Sequence, residues 1–166
     1  MDPIPSSPSP RQLDAYFSLI EVSSLLRHTI EQQLRDAGDL SYVQFQLLAR
    51  LGDAPHGSHR MTDLADGVVY SRSGLTYQAQ VLEQRGLVTR AASIDDERGV
   101  TVTITAAGRE VLAAVFPGHI EALNQLFFDR LTEHDVDALA EVLGRVREHM
   151  RSSPPRSATP RRRRVT

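Results

Sequence analysis

The 166-residue chain contains no cysteine, no lysine and no tryptophan, and aromatic residues make up only 5% of it. The absence of cysteine excludes disulfides, thiolate metal sites and cysteine-based peroxide sensing, and it fits a reducing compartment. No apolar run approaches the ~20 residues that a membrane span needs. The N-terminus MDPIPSSPSP lacks the charged-then-apolar order of a secretion signal, so a cytoplasmic protein without a membrane partner is expected. Nucleophile elbows, phosphate loops and supported carboxylate pairs are missing too, which predicts a non-enzyme without a cofactor. The six histidines, at 28, 56, 59, 119, 134 and 149, include no i, i+4 pair. His56 and His59 form the one loop cluster, and with no cysteine nearby they are expected to be solvated and not to ligate metal.

What is present is enough for one domain with an appended dimerisation element: 40% hydrophobic residues at a typical domain length. The net charge of −2 conceals an asymmetry. All 19 basic residues are arginine, and six of them lie in residues 151–166, which hold no acid. Residues 1–150 therefore carry 13 arginines against 21 acidic residues, a net of −8. An acidic body argues against a general polyanion binder and turns attention to local clusters. Arg60, Arg72, Arg85, Arg90 and Arg98 gather within residues 60–105, partly offset by Asp63, Asp66, Glu83, Asp95, Asp96 and Glu97.

Proline at 3, 5, 8 and 10 predicts a disordered arm over residues 1–10. From about Gln12 to Ala37, Leu13, Tyr16, Phe17, Ile20, Leu26, Ile30 and Leu34 recur at helical spacing, and Gly38 is the expected stop. That apolar stripe is broader than one core requires, so it is expected to meet two surfaces. Ser41 can cap a second helix with Val43, Leu47, Leu48 and Leu51 inward, ending at Gly52-Asp53 with Pro55. A loop DAPHGSH follows. Beyond residue 105, Val111, Leu112, Val115 and Phe116 mark a helix expected to bend at Pro117-Gly118. A last helix, capped by Thr132, carries Val136, Leu139, Leu143, Val146 and Met150 on one stripe. The tail 151–166 is expected to be disordered, with Arg161 to Arg164 adding a salt-dependent attraction to DNA.

Residues 60–105 carry the chemistry. Leu64, Ala65, Val68 and Val69 form the core side of a short helix and turn. Ser71 is the candidate cap of a second helix whose Leu75, Ala79 and Leu82 point inward. Its first turns expose Ser71, Arg72, Ser73, Thr76, Tyr77 and Gln78. Short hydroxyls permit close approach to a major groove, and Arg and Gln can bond base edges. Gly86 ends this helix in a left-handed cap, and Arg85 is read as a surface charge complementing the helix dipole. Strands are predicted at about Leu87–Ala92 and Val100–Thr105, the second alternating Val100, Val102 and Ile104 with threonine. In the intervening hairpin Asp96 can orient Arg98, the candidate for a minor-groove or backbone contact. The triplet at 95–97 sits on an exposed hairpin tip and is not read as a metal cluster.

The run resembles the MarR (multiple-antibiotic-resistance regulator) family of winged helix-turn-helix regulators. The resemblance rests on RMTDLAD, SRSGLTYQAQVLEQRGLV and a wing pattern formed by Arg90, Asp96 and Arg98 that leads into Ala106 to Glu110. It covers about residues 11–150 and implies a mainly α fold with a small β-wing. In that fold a winged-helix lobe (41–105) is inserted between dimerisation helices (11–37 and 106–150). It also implies a homodimer that binds a palindromic operator in double-stranded DNA, usually as a repressor released by a small aromatic or phenolic effector. The implied DNA contacts are Ser71, Arg72, Ser73, Thr76, Tyr77, Gln78 and Arg98. Tyr16, Tyr42 and Gln46 are weak candidates for the effector site. The lack of tryptophan disfavours urate, which the family's urate-responsive members bind through a first-helix Trp. Ser93-Ile94 stands where the wing often has Asp-Pro, and Tyr77 where Arg is common, so the operator sequence is open. The competing readings are a winged-helix protein-interaction module and a nonspecific DNA architectural protein.

Overall fold

The computed structural model describes residues 7–67, 72–93 and 96–152; the side chains of Asp66, Gly67, Arg72, Asp96, Glu97 and Arg98 lie outside that description. Helix α1 (Pro10–Gly38) starts from Ser9, whose hydroxyl accepts from Gln12 N–H while the Gln12 side chain accepts from Ser9 N–H. This capping box starts the helix within the arm expected to be disordered, and Pro10 stands at its first turn, where no N–H is needed. The left-handed position at the other end is Asp39 (φ 51°), not Gly38. Gly38 is required for space: a Cβ there would meet Val115 Cγ2 at 2.5 Å. Asp39, one of the few residue types that tolerate the left-handed region, makes the turn.

Helix α2 (Tyr42–Asp53) repeats the capping box with Ser41 and Gln44 and buries Val43, Phe45, Leu47, Leu48 and Leu51. Next comes β1 (Ser58–Arg60), within the stretch expected to be loop. Helices α3 (Met61–Gly67) and α4 (Arg72–Gln84) follow, then β2 (Val88–Ser93) and β3 (Asp96–Ile104). The strands form one antiparallel sheet in the order β1-β3-β2, with Ser58 opposite Thr103 and Val88 opposite Ile104. Helix α5 (Ala106–Leu126) is continuous through Pro117, and α6 (Glu133–Ser152) follows a single 3-10 turn. Thr132 caps α6, its hydroxyl accepting from Asp135 N–H.

Mainly helical, with a three-stranded wing, the fold is a winged helix-turn-helix framed in sequence by long helices. Two compact units divide at residue 124. In the first, Leu34, Leu40, Leu48, Leu51, Leu75 and Val115 are fully buried and join α1, α2, α4 and α5 in one core. By length and composition the segment Ala106–Arg130 could cross a membrane. Within it Val115 lies in that core, and its carbonyl accepts from the Gln33 side chain. In the second unit α6 buries no residue, and Val142, Leu143, Val146 and Met150 are exposed. Most of α1 is equally bare: only Ile30 and Leu34 are buried, while Tyr16 and Phe17 are more than half exposed.

Candidate nucleic-acid interface

Helix α4 is amphipathic because its apolar residues sit at 75, 79 and 82. Leu75, Ala79 and Leu82 are at most 1% exposed, which fixes the helix against α2 and the sheet. The opposite stripe, Ser73, Thr76, Tyr77 and Gln80, is exposed at spacing i, i+3, i+4, i+7. Tyr77 is 62% exposed, a large aromatic with no packing role in this chain. The stripe therefore displays hydroxyls, a phenol and an amide to solvent, all groups that bond base edges or phosphates.

At its C-terminal end α4 is closed by Gly86 (φ 73°), with Gly86 N–H bonding the Glu83 carbonyl and Leu87 N–H the Leu82 carbonyl. This pair of bonds is the Schellman cap, and it turns the chain directly into β2. Glu83 then locks strand to helix: its carboxylate accepts from both Arg90 N–H (3.0 Å) and Arg90 Nε (2.8 Å). Those hydrogen bonds hold the Glu83 carboxyl below its ordinary value. Hydroxyl pairs Ser93–Thr101 (2.9 Å) and Ser58–Thr103 (2.7 Å) bridge the strands. These links tie the wing's strands to one another and to the end of α4.

Of the expected contact residues, the structure brings Ser73, Thr76 and Tyr77 onto one exposed stripe. Ser71, and the side chains of Arg72, Asp96 and Arg98, lie outside the described residues. Gln78 is half-buried and turned towards α2, where its Oε1 accepts from Gln44 Nε2 at 2.8 Å. Gln80 joins the stripe, two residues beyond Gln78, the last contact expected from the sequence; its signal was the seven-residue spacing from Ser73. Arg85 is not a free surface charge: its guanidinium donates to the Asp39 carbonyl (2.6 Å) and the Gly38 carbonyl (3.1 Å).

Of the weak effector candidates, Tyr42 and Gln46 stand one turn apart on α2, and Tyr16 lies away from them. Tyr16 packs edge-on against Phe17, whereas Tyr42 lies under Arg27 at 5.6 Å. Arg27 is eleven residues, about 16 Å, further along α1 than Tyr16. A different cleft of about 450 Å³ lies between the end of α2 and the first half of α5, lined among others by Ala49, Asp53, Arg109, Leu112 and Phe116. The Arg109 guanidinium also lies over Gly57, leaving no room for a side chain at the base of the wing. Nearby, His119 stacks on Phe45 (4.5 Å between rings), and burial holds its imidazole below the ordinary value. His119 Nδ1 and Gln33 Oε1 have no hydrogen-bond partner among the described residues. Among the described residues no group of three His, Cys, Asp or Glu could hold a metal ion.

Comparison with known proteins places this geometry. A family model described as the MarR family matches residues 38–99, which span the α2–β3 region. The transcriptional repressor YetL of Bacillus subtilis is 25% identical over 83% of this chain and 81% of its own length. The transcriptional regulator MhqR of the same organism is 30% identical over 63% of this chain and 68% of its own length. Among solved structures, Sco3205, a transcriptional regulator from Streptomyces coelicolor in complex with DNA, superposes with a TM-score of 0.86. It is 32% identical, and the match covers 95% of this chain and 96% of that one.

Proposed function

This chain belongs to the MarR family of transcriptional regulators, and we propose that it works as a homodimeric repressor of its own promoter region. The observation that carries the reading is the exposed stripe Ser73, Thr76, Tyr77 and Gln80 on a helix tied to the wing through Glu83 and Arg90. Arg72 at the start of α4 and Arg98 in the hairpin, oriented by Asp96, would supply the charge that this neutral stripe lacks. The stripe reads base edges from the major groove, and the wing reaches the adjacent backbone or minor groove.

Dimerisation is the reading that the exposed apolar faces support. Phe17 and Ile20 on α1 and Val142 and Val146 on α6 are all left bare, and such faces mark contacts with a partner. A second copy covers them with two-fold symmetry, so the operator is an inverted repeat with half-sites about one helical turn, ~34 Å, apart. The 11–37 and 106–150 helices form the dimerisation frame and the 41–105 lobe the reader.

For release, a small aromatic or phenolic acid suits the α2–α5 cleft better than the surface near Tyr16, Tyr42 and Gln46. The cleft has apolar walls, and Arg109 can meet a carboxylate or phenolate there. A ligand in contact with Arg109 bears on Gly57 at the wing base, and it releases DNA only by as much as it prefers the non-binding arrangement. The test is retention of the chain's own upstream intergenic DNA at about physiological salt with excess random competitor. Specific retention that is lost on Arg72→Ala and Tyr77→Ala supports the reading. Binding abolished by competitor contradicts it.

A further inference from the structure

Two side-chain links tie α4 to the bend between α1 and α2. In the first, Ser41 N–H donates to Gln44 Oε1 (3.0 Å), and Gln44 Nε2 donates to Gln78 Oε1 (2.8 Å). Its polarity is fixed from one end. A backbone N–H can only donate, so Gln44 must turn its oxygen to Ser41 and its nitrogen to Gln78. Gln78 must then answer with oxygen. In the second link the Arg85 guanidinium forks across the successive carbonyls of Gly38 and Asp39.

Gln78 sits midway along α4 and Arg85 just past its last residue, seven positions on, about two turns or 10 Å along the axis. Between the links lies a cleft of about 400 Å³ walled by Leu40, Ser41 and Val81, so this flank of α4 is held by the two links while Leu75, Ala79 and Leu82 pack its buried face. One attachment locates a helix; two along its length fix its pitch. Gln78 also lies well round the helix from the Ser73–Thr76–Tyr77–Gln80 stripe, on the side of the buried Ala79 and Leu82.

We propose that Gln44 and Arg85 are positioning residues for DNA reading, setting the pitch of α4 against the α1–α2 bend, and that Gln78 belongs to this brace and not to the reading face. The proposal rests on the DNA-reading role of α4 given above. Neither Gln44 nor Arg85 touches DNA; they act by aiming Ser73, Thr76, Tyr77 and Gln80.

The chemistry supplies a test that separates aiming from contact. In Gln44→Glu the carboxylate still accepts from Ser41, and the Gln78 amide turns over to donate to it. In Gln78→Glu the carboxylate still accepts from Gln44. Each single variant is expected to keep binding within about threefold of the unaltered chain. The double variant Gln44→Glu/Gln78→Glu sets two carboxylates against each other and is expected to weaken specific binding by at least about tenfold, far beyond the sum of the singles. Arg85→Ala should do the same, with partial recovery in Arg85→Lys, which cannot fork across two carbonyls. The readout is the ratio of affinity for the upstream intergenic DNA to affinity for random duplex, with thermal stability followed in parallel. A loss confined to the specific duplex, at temperatures where every variant is folded, is the expected result.

If Gln78→Glu alone loses tenfold or more, Gln78 contacts DNA and the brace assignment is wrong. If the double variant matches the unaltered chain, there is no brace. Equal loss on both duplexes together with a lowered Tm would mean a general folding role, which also overturns it. An unaltered chain that does not discriminate the two duplexes would refute the DNA reading itself, a failure distinct from that of the brace alone.

Discussion

Gly108→Ala is the substitution whose cost the structure defines best. Gly108 lies in the first turn of α5, where the helix crosses the strand entry at Leu87. A Cβ there would sit 2.1 Å from the Leu87 carbonyl oxygen and 2.8 Å from Ile104 Cγ1. Ile104 can adjust its side chain, but the Leu87 oxygen is backbone and already accepts from Thr105 N–H at 3.0 Å. Ordinary contact therefore requires α5 to retreat by about 1 Å from the wing base. Overpacking of this kind costs ~1–3 kcal/mol. Weakening the Thr105–Leu87 hydrogen bond adds ~1 kcal/mol. Alanine's higher helix propensity returns up to about 1 kcal/mol. The net is a destabilisation of about 2 kcal/mol, or roughly 4–8 °C in Tm for a chain of this size. Thermal melts at matched protein concentration measure it, since the proposed dimerisation would make Tm concentration-dependent. An unchanged or raised Tm would refute the close packing of α5 on Leu87.

Gly86→Ala meets no neighbour and is strained by its positive φ alone, so it should cost about 1 kcal/mol, with Gly86→Asn recovering part of the loss in the same melts. The Glu83 carboxyl is held low by Arg90, so its contribution is present above its ordinary value of 4.5 and lost as the pH falls through the lower folded value. Protection of the 88–93 amides, measured against the intrinsic exchange rate at each pH, should therefore fall in acid, and Glu83→Gln should remove that acid step. Burial lowers the His119 value below 6.5, so the folded chain resists protonation and stability falls as the pH drops below that point. His119→Phe should shrink the difference in Tm between about pH 7.5 and about pH 5.5; an undiminished difference would place the titration elsewhere. Alanine at Thr76, Tyr77 or Gln80 should weaken specific DNA binding by ~1–3 kcal/mol each, as base-contact losses do, with folding stability within ~0.5 kcal/mol of unchanged. A normal affinity for all three would move the reading face off α4.

Local signals in the sequence carried most of the architecture. The Ser41 cap, the inward set Leu75, Ala79 and Leu82, the left-handed Gly86 and the alternation of Val102 and Ile104 each depend on residues within one or two turns. Strand β1 was hidden because three residues cannot show a period, and its partner Thr103 is 45 positions away. Gly38 was the obvious helix stop by residue type, but its role is set by Val115 on a distant helix, which passes the turn to Asp39. Pro117 was expected to bend α5, yet the helix is continuous through it.

The same limit applies to the candidate site. The polar stripe was legible from its helical period. The inward turn of Gln78 was not, because it needs Gln44, 34 residues earlier and itself occupied in capping α2. Arg85 looked like a dipole-complementing charge for want of any sign that Gly38 and Asp39 lie beneath it, 47 and 46 positions away. Tyr16 and Tyr42 were grouped by chemistry alone, and the length of α1 keeps them apart.

The central claim is that two copies of this chain read one inverted repeat. Selection of genomic fragments bound by the purified full chain tests it directly. The account predicts a single enriched motif with two-fold symmetry, half-sites about one helical turn (~34 Å) apart, and loss of enrichment with Tyr77→Ala. Fragments without a shared motif, or a motif without symmetry, would contradict it.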